Sequence, residues 1–187
     1  MRRESYWNIG TFIALVVITS TFFVSSAEAV NLRVVNDGPV NAYFAGSSAS
    51  YDSNLKVIIG DGPSPLTQVF GNRSEVGDSV NLGSFTSGTF FSPVLEVSTT
   101  GDLFWATASQ NTDGFNHLFV SEFNLPGGGH AVFVGFEDIR GLGDADFNDH
   151  MAIFTNLEIA PVPEPSTYAM LLAGLLLVGF YSRKLSK

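Results

Sequence analysis

The chain has 187 residues, nine basic against eighteen acidic for a net charge of −9, and no cysteine. A surface of that sign repels nucleic acid and anionic lipid and attracts cations, which excludes a nucleic-acid binder. With no disulfide available, stability must come from packing, helped at most by a bound ion.

Arg2 and Arg3 precede an apolar stretch from Ile9 to Val24, and Ala27-Glu28-Ala29 follows. A basic start, an apolar middle and a small-x-small site make a secretory signal peptide. Residues 1–29 are therefore expected to be removed by signal peptidase, with an uncleaved membrane anchor as the alternative.

The segment 30–160 is the length of one domain with a real core. It holds four basic residues against fifteen acidic ones, a net charge of −11. Glycine and serine are plentiful and long helical periodicity is absent. Short runs rich in Val, Ile, Phe and Thr recur instead, over 32–36, 40–45, 55–59, 67–70, 79–82, 89–97, 103–106, 118–123, 131–136 and 151–156. Turn residues such as Asn36-Asp37-Gly38-Pro39, Asp61-Gly62-Pro63 and the glycines at 127–129 bound them. This spacing predicts an all-β fold, an antiparallel β-sandwich that is jelly-roll-like or immunoglobulin-like. Both faces of 131–136 are apolar, so it reads as a central strand whose end emerges at Glu137-Asp138.

The seventeen phenylalanines fit core packing, while Trp105 and Tyr43 leave open an exposed platform for stacking sugars. Asn72-Arg73-Ser74 reads as a turn. His117, His130 and His150 are scattered and fit surface or strand-end positions better than ligand positions.

The densest chemistry is in Gly141-Leu142-Gly143-Asp144-Ala145-Asp146-Phe147-Asn148-Asp149-His150. Asp144, Asp146 and Asn148 alternate, so their oxygens can converge while Ala145 and Phe147 face away. Hard oxygen donors of this kind suit Ca²⁺, with Asp149, Glu137 and Asp138 as further donors. The first three positions match an EF-hand loop. The match then fails at Asp149, where glycine belongs, and at Thr155, where glutamate belongs. A hydrogen-bonded turn between the strands at 131–136 and 151–156 is the competing reading, and carboxylate catalysis a more distant one. The pattern also resembles a domain-of-unknown-function family of surface proteins. The likeness lies in Phe136-Glu137-Asp138, Gly143 to Asp149 and the final strand, with weaker echoes at 49–55 and 83–89. His150 departs from the apolar residue usual after the last Asp. That resemblance implies no settled activity.

The end, residues 161–187, reads Pro163-Glu164-Pro165, an apolar stretch 168–181, then Arg183, Lys184 and Lys187. As a helix, 168–181 would be about 21 Å long, short of the roughly 30 Å hydrocarbon core, so it is suited to transient membrane anchoring. The basic residues should stay cytoplasmic. Proline motif, short helix and basic tail in that order resemble the PEP-CTERM sorting signal of exported Gram-negative proteins, although a plain tail anchor has similar parts. The resemblance implies cleavage by an exosortase and release to the cell surface, outer membrane or extracellular matrix.

Three function classes follow. The favoured one is a non-enzymatic exported protein with a calcium-stabilised β domain, working in the exopolysaccharide or biofilm. The alternatives are a carbohydrate-binding module for exopolysaccharide and, further off, a glycoside hydrolase using Glu96 and Glu122. Nucleophile-elbow and zinc-protease motifs are absent.

Overall fold

The computed structural model describes residues 30–62, 64–160 and 171–176. The expected signal peptide, the Pro163-Glu164-Pro165 motif, Arg183 and Lys184 lie outside the described residues. Within the expected sorting helix, 171–176 is helical. Among the described residues no helix is long and apolar enough to cross a membrane.

The β domain contains β1 (Asn31–Val34), β2 (Gly38–Gly46), β3 (Ser53–Ile59), β4 (Thr67–Gly71), β5 (Ser79–Phe85), β6 (Phe90–Val97), β7 (Asp102–Trp105), β8 (Leu118–Asn124), β9 (His130–Phe136), β10 (His150–Thr155) and β11 (Leu157–Ala160). Ten of these are the expected runs, with ends moved by three residues or fewer. One sheet runs β11-β1-β6-β3-β4, with β7 on the far half of β6, and the other runs β5-β2-β10-β9-β8. Every strand pair is antiparallel.

Alternation fixes which side chains enter the core. Along β10, His150, Ala152 and Phe154 are buried, and the ladder sets them opposite Phe136, Val134 and Val132 of β9. The other sheet contributes Leu32, Leu55, Phe91 and Leu95 to the same cluster, all fully buried. Each such aliphatic or aromatic side chain contributes about 1.5–3 kcal/mol by leaving water. That core makes the all-β sandwich, without help from a disulfide.

The strand missed by the sequence reading is β11. Asn156 adopts φ 62°, and its side chain bridges the Asn36 backbone, accepting from the N–H at 3.1 Å and donating to the carbonyl at 2.8 Å. This turn carries the chain from β10 in one sheet to β11 in the other. Asparagine tolerates that left-handed conformation better than other side-chain-bearing residues, so no glycine marked the corner.

β9 is an interior strand, as expected. Its exit differs from expectation: Glu137 and Asp138 are 0% and 1% exposed, so the chain stays inside the protein past the end of the strand. The β9–β10 hairpin also forms as expected, and its long connection, 137–149, is the acidic loop.

Candidate metal centre

The loop is anchored at its base. The Asp149 N–H donates to the Phe136 carbonyl at 3.1 Å, and the Asp138 N–H donates to Asp149 Oδ2 at 3.0 Å. From the neighbouring segment after β2, Ser47 Oγ donates to the Asp149 carbonyl at 2.6 Å and the Ser48 N–H to the Asn148 carbonyl at 2.9 Å.

Between those anchors the backbone winds. Gly141, Leu142, Gly143, Ala145 and Phe147 all have positive φ, between 52° and 78°. For the three that carry a Cβ this conformation is unfavourable by about 1 kcal/mol or more each. The winding turns the Phe147 carbonyl over β9, where a Cβ on Gly135 would stand only 2.4 Å from it. A glycine inside a strand often marks such a close approach.

The same winding gathers the carboxylates. Glu137, Asp144 and Asp146 each bring one oxygen within 4.8 Å of the others, the first buried and the other two exposed. Glu137 Oε1 accepts the Phe147 N–H, while the buried Oε2 has no donor. Gly143 leaves room over it, for a Cβ there would lie 3.4 Å from Oε2. Asn148 stands beside the trio: its side-chain amide donates to Asp146, whose other oxygen accepts the Asn148 N–H. Asp138 and Asp149 form a second carboxylate pair on the inner side, and neither oxygen of Asp138 meets a donor in hydrogen-bond geometry. The six expected residues thus divide into a converging trio, a buried pair and one asparagine that orients Asp146.

The electrostatics follow. Burial pushes the Glu137 carboxyl above its usual range against the pull of the Phe147 N–H, and the charges of Asp149, Asp144 and Asp146 raise it further. Asp138 is pushed up to about 7, first by burial and then by Asp149 beside it. Carboxylates crowded in this way repel one another, and an oxygen-seeking cation would reverse that. Opposite ligands around Ca²⁺ stand about 4.6–5.2 Å apart, twice its oxygen distance of about 2.3–2.6 Å. One oxygen of each of the trio lies within that limit of the others, and the buried Glu137 Oε2, which has no hydrogen-bond partner, is a hard donor of the right kind.

Of the three histidines expected at the surface or at strand ends, two sit at strand ends and are buried there. His150 opens β10 and is fully buried, with Nδ1 3.2 Å from Ser53 Oγ and its ring edge-on to Phe44 at 5.5 Å. Burial lowers its pKa to about 4, so it packs as a neutral ring. His117, just before β8, is also fully buried and stacks on Phe104 at 3.7 Å. His130 is exposed.

Other expected candidates are not brought together. Tyr43 is exposed on β2 and Trp105 half-buried on β7, in different sheets. Glu96 on β6 pairs with Lys56 at 2.8 Å, whose hydrogen bond and charge hold it below the usual carboxylate range. Glu122, on β8 in the other sheet, accepts the Ile159 N–H. Asn72-Arg73-Ser74 is a turn, closed by the Ser74 N–H on the Gly71 carbonyl at 3.1 Å.

Comparison with known proteins adds two family matches and several structural likenesses. Residues 77–155 match DUF4114, a domain of unknown function, and residues 161–185 match the PEP-CTERM protein-sorting motif. No curated protein matches the chain significantly. The C-terminal domain of a Burkholderia cenocepacia lectin superposes with a TM-score of 0.47 at 15% identity, covering 73% of this chain and 99% of that one. A Ralstonia solanacearum high-affinity mannose-binding lectin gives 0.45 at 17%, covering 71% and 96%. A Chromobacterium violaceum lectin solved with α-methyl-fucoside gives 0.44 at 13%, covering 73% and 100%. The chain thus carries a PEP-CTERM protein-sorting motif, a signal of exported proteins, at 161–185 behind a DUF4114 domain at 77–155.

Proposed function

We propose that this is a non-catalytic structural protein of the cell surface or exopolysaccharide matrix, whose β domain is rigidified by one Ca²⁺ in the 137–149 loop. The observation that carries the reading is the convergence of Glu137, Asp144 and Asp146, one oxygen of each within 4.8 Å of the others, beside a buried Glu137 Oε2 that has no hydrogen-bond partner. Glu137, Asp144 and Asp146 supply the first ligands, and Asp138 and Asp149 stand ready behind them. The ion would replace mutual repulsion with attraction and fix a loop whose backbone is otherwise strained at Leu142, Ala145 and Phe147. Calcium titration of the full-length chain in detergent tests it. Binding to the native state must raise the unfolding midpoint by RT ln(1 + [L]/Kd). An unchanged midpoint at millimolar calcium contradicts the proposal.

The processing route is part of the same reading: signal peptidase removes 1–29 and an exosortase acts at the Pro163-Glu164-Pro165 segment. Replacing Pro163 and Pro165 by alanine should leave the C-terminal segment attached, as intact-mass measurement of the exported protein would show. Normal trimming of that variant counts against the assignment.

A second reading, binding of exopolysaccharide by the β domain, has one observation of its own. Tyr43, Phe119 and Phe123 are 39–47% exposed, and strand register puts them on one face of the β5-β2-β10-β9-β8 sheet. Aromatic rings on a flat face can stack on sugar rings. Co-sedimentation with the purified polysaccharide, lost on Phe119→Ala with Phe123→Ala, would favour it.

A further inference from the structure

The geometry points to Asp113 and His117 as the positioning pair of the acidic loop. The inference rests on the calcium reading above and adds residues that neither the loop sequence nor its carboxylates include. Both lie 20 residues or more before Glu137, in the segment between the 3-10 turn Ala108–Gln110 and β8.

His117 holds Glu137 by its backbone. The Glu137 N–H donates to the His117 carbonyl at 3.0 Å, and His117 Nδ1 lies 3.1 Å from the Glu137 carbonyl oxygen. The other ring nitrogen, Nε2, lies 2.9 Å from Asp113 Oδ2. That same oxygen accepts the Gly141 N–H at 2.8 Å, and Oδ1 accepts the Phe115 N–H at 3.1 Å. One carboxylate therefore fixes the histidine that fixes Glu137, and it also fixes the point where the chain enters the glycine-rich turn.

Packing makes the arrangement stiff. The His117 ring is fully buried and lies nearly parallel to Phe104, at 16°, which blocks its rotation. Glu137 cannot shift along the strand without breaking two bonds to His117, and Gly141 cannot swing out without leaving Asp113. Partners behind the ligands set ligand orientation, and their loss weakens metal affinity by about 10–100-fold in known sites.

Asp113→Asn is the test, because an amide has one acceptor oxygen where three N–H groups need two. Calcium affinity of the full-length chain in detergent is measured by calorimetry, and metal-free stability by thermal unfolding with a chelator. Lys56→Met, which breaks the distant Lys56–Glu96 ion pair, serves as a control for general destabilisation. Asp113→Asn should weaken calcium binding by about tenfold or more, whereas Lys56→Met should leave affinity within about twofold while lowering the midpoint. Wild-type affinity in Asp113→Asn, or equal weakening in Lys56→Met, overturns the positioning role alone. Absence of calcium binding by the wild type overturns the calcium reading and this inference with it.

Discussion

Glu137→Gln should change sign with the medium. A Glu137 oxygen lies within 4.8 Å of an oxygen on each of Asp144 and Asp146. Two unit charges at that distance repel by about 3.5 kcal/mol at an effective dielectric near 20. Solvent around the exposed aspartates screens this to roughly 1 kcal/mol, and removing a buried charge adds to it, so the variant should gain about 1–2 kcal/mol without metal. The glutamine oxygen can still accept the Phe147 N–H, and its amide faces the aspartates that formerly repelled. For a domain of this size the gain is about 4–8 °C in Tm. At calcium one hundred times Kd the wild type gains about 2.7 kcal/mol, roughly 10 °C, and the variant should lose most of that gain. Thermal unfolding of both chains, followed by circular dichroism with chelator and then with calcium, should show the order of the two midpoints reversed. A variant that melts below wild type by the same margin in both media would refute the repulsion argument.

Three other outcomes follow from the same contacts. Gly135→Ala should destabilise the domain by at least about 2 kcal/mol in urea unfolding, because the added Cβ meets the Phe147 carbonyl, a backbone atom that cannot step aside. Asp113 is held down at about 2: burial opposes ionisation, and the Gly141 N–H, His117 and the Phe115 N–H more than offset it. A carboxyl depressed on folding stabilises fully above its unfolded pKa near 3.8 and loses that contribution as pH falls through 2. The stability gap between wild type and Asp113→Asn, about 2 kcal/mol at neutral pH, should therefore close between pH 4 and 2 in urea titrations. Asn156→Ala should cost about 1–2 kcal/mol, since it loses two bonds to Asn36 and keeps a left-handed φ without compensation.

Much of the fold was legible in the sequence because its signals are local. Runs such as Leu55 to Ile59 and Ala131 to Phe136 alternate or stay apolar and are closed by turn residues, and the sheets form from them. The last strand and its place in the second sheet were not legible, because the switch from β10 to β11 depends on one asparagine bridging to Asn36, far away in the chain. In the loop, residue type marked six candidate oxygen donors, and the structure brings one oxygen of each of Glu137, Asp144 and Asp146 within 4.8 Å of the others. Their convergence arises from left-handed turns at Ala145 and Phe147, residues that rarely adopt them and so gave no local sign of the turns. Gly135 carried a usable signal, a glycine inside an apolar strand, whose meaning depends on the Phe147 carbonyl crossing it. His117 and Asp113 carried none, since nothing local distinguishes a histidine buried against Phe104 from one in solvent.

Metal content tests the central claim most directly. The exported protein, purified from its producing cells without chelator, should hold one calcium per chain by mass spectrometry. That calcium should be lost in Glu137→Gln. Protein that is folded and metal-free, or that carries equal calcium in both forms, would contradict the account.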